Sequence, residues 1–169
     1  MNLSEKFKAG NTMKTIILSM AAAIFAVTSA QAASVVIREA GLVPYEIVDA
    51  AAIPKSLTGV AGDPANGRKV AINRTKGNCL ACHAMPIPDQ QFHGETAPSL
   101  YGVGARLSEA ELRMQVVNAK VTNENTMMPS FYRTFGFNSP LKKFAGKSIL
   151  SAQEVEDVVA YLKTLKTDQ

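Results

Sequence analysis

The residues best equipped for chemistry in this sequence stand together at Cys79-Leu80-Ala81-Cys82-His83, a C-x-x-C-H pattern. Two thiols at this spacing can add to the two vinyl groups of a haem and form thioether bonds. The adjacent imidazole then lies beneath the iron as its proximal ligand. The chain has two Cys and two His in all, so both thiols and one of the two imidazoles lie in this motif. Such a ligand set supports one metal or cofactor site. It excludes a disulfide-rich scaffold and a multi-cluster iron–sulfur protein.

Other chemistries for the motif fare worse. A thioredoxin-like dithiol would follow a strand in a βαβ pattern, and no such pattern flanks Cys79. A tetrahedral zinc site would need Cys79, Cys82, His83 and His93 together, at a spacing that fits no zinc module. A Cys79–Cys82 disulfide would close a tiny loop and stabilise little. A haem also needs a sixth ligand or an open position. The candidates are His93 and the pair Met127 and Met128 in Asn-Thr-Met-Met-Pro-Ser-Phe, whereas Met114 reads as helix packing. A thioether ligand is soft, favours ferrous iron and raises the reduction potential.

These residues need elements to position them. A first helix is expected to open at Asp63-Pro64, an N-cap followed by a proline whose missing N–H costs nothing there. It should run through GRKVAINRTK to a stop at Gly77-Asn78. A middle helix starts at Ser108, where Ser108 and Glu111 form a capping box, and places Leu112, Val116 and Ala119 on one face. A last helix starts at Ser151 with Glu154 as its reciprocal cap. Its Val155, Val158, Val159, Leu162 and Leu165 recur at helical spacing. The segments between are rich in Pro, Gly and Asn, so the expected fold is mostly α with long loops that need something to pack against.

Ahead of this domain, residues 33–62 are apolar yet punctuated by Pro44, Pro54, Gly59 and Gly62, with a short strand expected at Val35–Ile37. Leu42, Val43, Tyr45, Ile47 and Ile53 look exposed there, which marks a candidate docking segment. Further upstream, Lys14, the apolar run Thr15–Val27 and Ala30-Gln31-Ala32 compose an export signal cleaved after Ala32. Met13 followed by Lys is the more usual start of such a signal than Met1. The apolar run is too short and too Ala-rich for a membrane span. The chain carries 18 basic and 14 acidic residues, 47% hydrophobic and 19% charged. Removing Lys6, Lys8 and Lys14 with the signal brings the mature chain nearer to balance. With no basic run either, a nucleic-acid partner is not expected. The expectation is a periplasmic protein without a membrane span in its mature form.

The order of these features resembles a class I cytochrome c. It comprises a capped helix with Gly67, then C-x-x-C-H, then Ala97-Pro98-Ser99-Leu100, Gly104-Ala105-Arg106, a Met-Pro and a last helix with Ala160-Tyr161-Leu162, across residues 63–165. The resemblance implies a class I cytochrome c fold over 63–169 with an N-terminal extension. It implies one covalent haem c on Cys79 and Cys82, with first and last helices crossing at Gly67. The Pro98 carbonyl would accept the Nδ1 proton of His83, Arg106 would lie near a haem propionate, and His83 and Met128 would be the axial iron ligands. Which of Val70, Ala71 and Ile72 packs on the last helix stays open. Loop geometry also favours Met128. Consecutive side chains in an extended loop point apart, and a residue before proline is held extended.

Longer strings narrow the likeness. AIPKSLTG at 52–59, GDPANGR at 62–68, KGNCLACH at 76–83, NTMMPSFY at 125–132 and ILSAQEVEDVVAYL at 149–162 resemble the SoxX family. Its members are the mono-haem subunits of the SoxAX cytochrome complex of bacterial sulfur oxidation. The resemblance implies a heterodimer with a larger c-type cytochrome, SoxA-like, which carries the catalytic haem with its modified cysteine ligand. That complex joins thiosulfate to a cysteine of a sulfur-carrier protein, and two electrons leave. This chain has no third Cys for the catalytic part, so its haem would relay electrons to an acceptor cytochrome. The alternative is a free periplasmic electron carrier. A peroxidase-like open haem fits poorly, because a bound thioether closes the site.

Overall fold

A computed structural model describes residues 32–167. Apart from Ala32, the expected export signal lies outside the described residues. The elements run β1 (Ser34–Ile37), β2 (Tyr45–Val48), α1 (Pro64–Ile72), α2 (Val103–Arg106), α3 (Glu109–Asn118) and α4 (Ala152–Thr164). Short 3-10 turns at Cys79–Ala81, Ala119–Val121 and Lys142–Phe144 interrupt the loops.

The three expected helix starts are present with their caps. The Asp63 carboxylate accepts from the Ala65 N–H at 2.8 Å, with Pro64 in the first turn. Ser108 and Ser151 each close a capping box with Glu111 and Glu154, so donors without helical partners are satisfied at each start. The end of α1 differs from expectation: the helix stops at Ile72, short of Gly77-Asn78. The Asn73 side-chain oxygen accepts from both the N–H and the hydroxyl of Thr75, each at 2.9 Å. That local turn displaces the helical ladder, as short polar side chains do. The Gly77 N–H folds back to the Val70 carbonyl at 3.2 Å, and the chain turns directly into the Cys79 segment.

α1 lies across α4, and α2 and α3 also pack on α4. At the α1–α4 crossing, a Cβ on Gly67 would stand 1.9 Å from the Asp157 carbonyl oxygen and 2.9 Å from the Tyr161 Cβ. Only glycine permits that approach. Val70 and Ala71 are buried, whereas Ile72 is half-buried. The Asp157 carboxylate fixes the crossing further, accepting from the Asp63 N–H at 2.8 Å and from Asn66 Nδ2 at 2.7 Å. The apolar stripe of α4 is buried throughout at Val155, Val158, Val159, Leu162 and Leu165.

The N-terminal segment builds part of the same core. β1 and β2 pair antiparallel, Ser34 opposite Val48 through Ile37 opposite Tyr45. Of the five apolar residues that look exposed in the sequence, Tyr45, Ile47 and Ile53 are buried, Leu42 is half-buried and Val43 is exposed. The expectation of an exposed apolar segment is corrected to that extent. Alternation along β2 turns Tyr45 and Ile47 inward together. A buried ion pair anchors the following stretch. Arg113 donates from Nε and Nη2 to the two carboxylate oxygens of Glu156, each at 2.9 Å, and from Nη1 to the Ile53 carbonyl at 2.7 Å. Glu156 also accepts from the Leu57 N–H at 2.8 Å. These bonds offset part of the desolvation of two buried charges. This anchor was not visible in the sequence. Charged residues on otherwise apolar helix faces are its only signal.

Candidate functional site

The Cys79 segment leaves α1 through Asn78, whose backbone is left-handed at φ 49°, a conformation that Asn tolerates better than most residues. The 3-10 turn then brings the His83 N–H to the Cys79 carbonyl at 2.9 Å. Both thiols and His83 line a cavity of about 970 Å³. The six residues to which the resemblance gives a role line it: Cys79, Cys82, His83, Pro98, Arg106 and Met128. Its lining includes the apolar side chains Leu112 and Val116 of α3 and Val158 and Leu162 of α4, together with Arg74, Lys76 and Lys143.

The donor set suits a large planar group held by thioethers and one imidazole. Burial pushes the Cys79 thiol up to about 11, so it stays a neutral thiol at ordinary pH. His83 Nδ1 lies 2.6 Å from the Pro98 carbonyl oxygen. A carbonyl only accepts, so Nδ1 carries a proton, and Nε2 is the ring nitrogen left to bind a metal. Among the described residues no group of three or more His, Cys, Asp or Glu could hold a metal ion by itself.

Pro98 and Arg106 are positioned by backbone contacts. The Ala97 N–H bonds the Cys82 carbonyl at 3.0 Å and the Leu100 N–H bonds the Ala84 carbonyl at 2.9 Å, which folds this loop back on the C-x-x-C-H turn. α2 docks against the end of α4: the Gly104 N–H donates to the Leu165 carbonyl at 2.8 Å, and a Cβ on Gly104 would meet the Leu162 carbonyl oxygen at 2.6 Å. Arg106, at the end of α2, donates to the Tyr101 carbonyl at 2.7 Å and to the Ser99 carbonyl at 3.3 Å. Its guanidinium is thus oriented at the cavity wall by the loop that carries Pro98.

The candidate sixth ligands separate clearly. Met127 and Met128 both line the cavity, but Met127 is 80% exposed, while Met128 is half-buried and packed on the core. The Met128 N–H is held by Thr126 Oγ1 at 3.2 Å. His93 does not line the cavity. Its Nδ1 accepts from the Met85 N–H at 3.3 Å, and its Nε2 is buried without a hydrogen-bond partner. The neighbouring Gly94 N–H bonds the Leu80 carbonyl at 2.7 Å, so His93 is tied to the side of the cavity that bears the thiols. Met114 is fully buried, as helix packing requires.

The likenesses to known proteins agree with this geometry. A family model described as cytochrome c matches residues 64–166. Among solved structures, the chain is similar to one described as the crystal structure of SoxXA from P. pantotrophus. Identity is 47% and the TM-score 0.64, over 68% of this chain and 90% of that chain. No curated protein sequence matches it.

Proposed function

We propose, for a chain that belongs to the cytochrome c family and is SoxX-like within it, that it relays electrons as the small subunit of a thiosulfate-oxidising complex. Its cofactor is one covalently attached haem c with its iron. When bound, that haem supplies one-electron chemistry by cycling between ferrous and ferric iron. Cys79 and Cys82 bear its thioether bonds. His83 is the proximal ligand, oriented by the Pro98 carbonyl, and Met128 is the distal one. Arg106 stands where a propionate carboxylate would gain a charge-assisted bond. The single observation that carries the residue assignment is the convergence of these six side chains on one apolar cavity.

In this reading residues 1–32 are the export signal and the mature chain works in the periplasm. Among the described residues no helix is long and apolar enough to cross a membrane. The permanent partner is a larger, SoxA-like cytochrome carrying the catalytic haem. The sulfur-carrier protein is met through the complex, and a further cytochrome takes the electrons. The 47% identity to a chain of a structure described as SoxXA supports this reading over a solitary carrier. The burial of Tyr45, Ile47 and Ile53 favours the alternative of a free electron carrier, because those residues cover the chain's own core.

Residues 33–62 still offer Val35, Val36, Val43 and Val60, each exposed, as a docking surface. Deleting the segment would also remove core, so point substitutions are the cleaner test. Val36→Asp combined with Val60→Asp is expected to weaken binding to a SoxA-like subunit at least about tenfold, or ~1.4 kcal/mol, with the haem spectrum unchanged. Titration calorimetry with the purified partner measures it. A wild-type affinity would remove the extension from the interface. Failure of the wild-type chain to bind any such subunit would favour the free carrier.

A further inference from the structure

The segment that follows Met128 is held on two sides. From one side α3 grips it: Ser130 Oγ bonds Asn118 Oδ1 at 2.6 Å, and the N–H groups of Phe131 and Tyr132 reach the Val116 and Val117 carbonyls, each at 3.2 Å. From the other side comes the connection between β1 and β2. The Glu39 side chain is 1% exposed and accepts from Arg133 Nε at 3.1 Å, from the Thr134 N–H at 2.7 Å and from Thr134 Oγ1 at 3.2 Å. The Val43 N–H donates to Tyr132 Oη at 2.9 Å. The Tyr45 and Tyr132 rings pack at 6.2 Å between centroids. A buried carboxylate is tolerable only when its oxygens are bonded. Glu39 therefore seats the hairpin connection and residues 133–134 as one unit.

We infer that Glu39 and Tyr132 are positioning residues for the distal iron ligand. The hairpin connection clamps residues 130–134 against α3 and so holds the Met128 thioether over the cavity. This rests on the assignment of Met128 as that ligand. The extension then has a task inside its own chain, whatever else docks on it. Loosening the clamp raises the fraction of molecules in which Met128 is off the iron, and a competing small ligand binds only to that fraction.

Imidazole is the probe, titrated into the ferric, full-length holoprotein. Glu39→Gln and Tyr132→Phe are each expected to tighten its apparent Kd about tenfold, with the covalent haem retained. Glu156→Gln disturbs the other buried ion pair and is expected to lower thermal stability with the imidazole Kd unchanged. Should Glu39→Gln fail to fold, Tyr132→Phe decides alone. A wild-type Kd in the folded clamp variants overturns the inference, and so does an equal tightening in Glu156→Gln, which would mark general loosening. Met128→Ala separates the two levels. If it leaves the sulfur–iron absorption intact, the ligand assignment has failed. If it abolishes that absorption while the clamp variants behave as wild type, only the clamp has failed.

Discussion

Met128→Ala is expected to abolish the weak sulfur-to-iron absorption at the red end of the ferric spectrum. The reduction potential should fall on the order of 0.1–0.2 V, a modest part of the roughly 0.8 V that axial ligands span. The direction follows from ligand softness: a thioether stabilises ferrous iron over ferric, and water or a vacant position does not. Met127→Ala and His93→Ala should leave both quantities nearly unchanged. Met127 is largely solvent-exposed, and His93 is engaged with the Met85 N–H outside the cavity. An intact band in Met128→Ala, or its loss in either of the others, would move the distal ligand elsewhere.

The largest effect on stability is expected from Gly67→Ala. On an isolated helix this change stabilises by about 1 kcal/mol. Here the new methyl would lie 1.9 Å from the Asp157 carbonyl oxygen. That atom is helix backbone and cannot swing aside as a side chain could. α1 and α4 would have to separate, loosening Asp157 from Asp63 and Asn66 as well. Overpacking of this kind is expected to cost a net of about 3 kcal/mol or more, read as a lower urea midpoint with the slope preserved. A neutral or stabilising outcome would mean that the helices do not cross at this residue.

How much of this was legible in the sequence depended on the range of the signal. Helix starts are legible because capping is local. Asp63-Pro64, Ser108/Glu111 and Ser151/Glu154 each satisfy their own amides within a few residues. The end of α1 is not legible, because Asn73 and Thr75 compete for the backbone and such competition leaves no periodic trace. C-x-x-C-H points to a chemistry by itself because five consecutive residues hold the pattern. The contact of Pro98 with His83 came only from resemblance, since the two are brought together by the fold. The N-terminal segment was the least legible. Its single expected strand acquires a partner, and Tyr45 and Ile47 turn inward because β2 alternates against the core. The Glu39 clamp joins residues far apart in the chain, and neither composition nor periodicity records such a pairing.

The central claim is that this chain carries one haem bonded covalently through Cys79 and Cys82. The most direct measurement is the mass of the fully denatured protein from a host able to mature c-type cytochromes. The predicted result is the mass of the polypeptide plus one haem, with the added mass on the peptide containing Cys79 and Cys82. A mass equal to the bare polypeptide, with haem extracted into acidified organic solvent, would contradict the account.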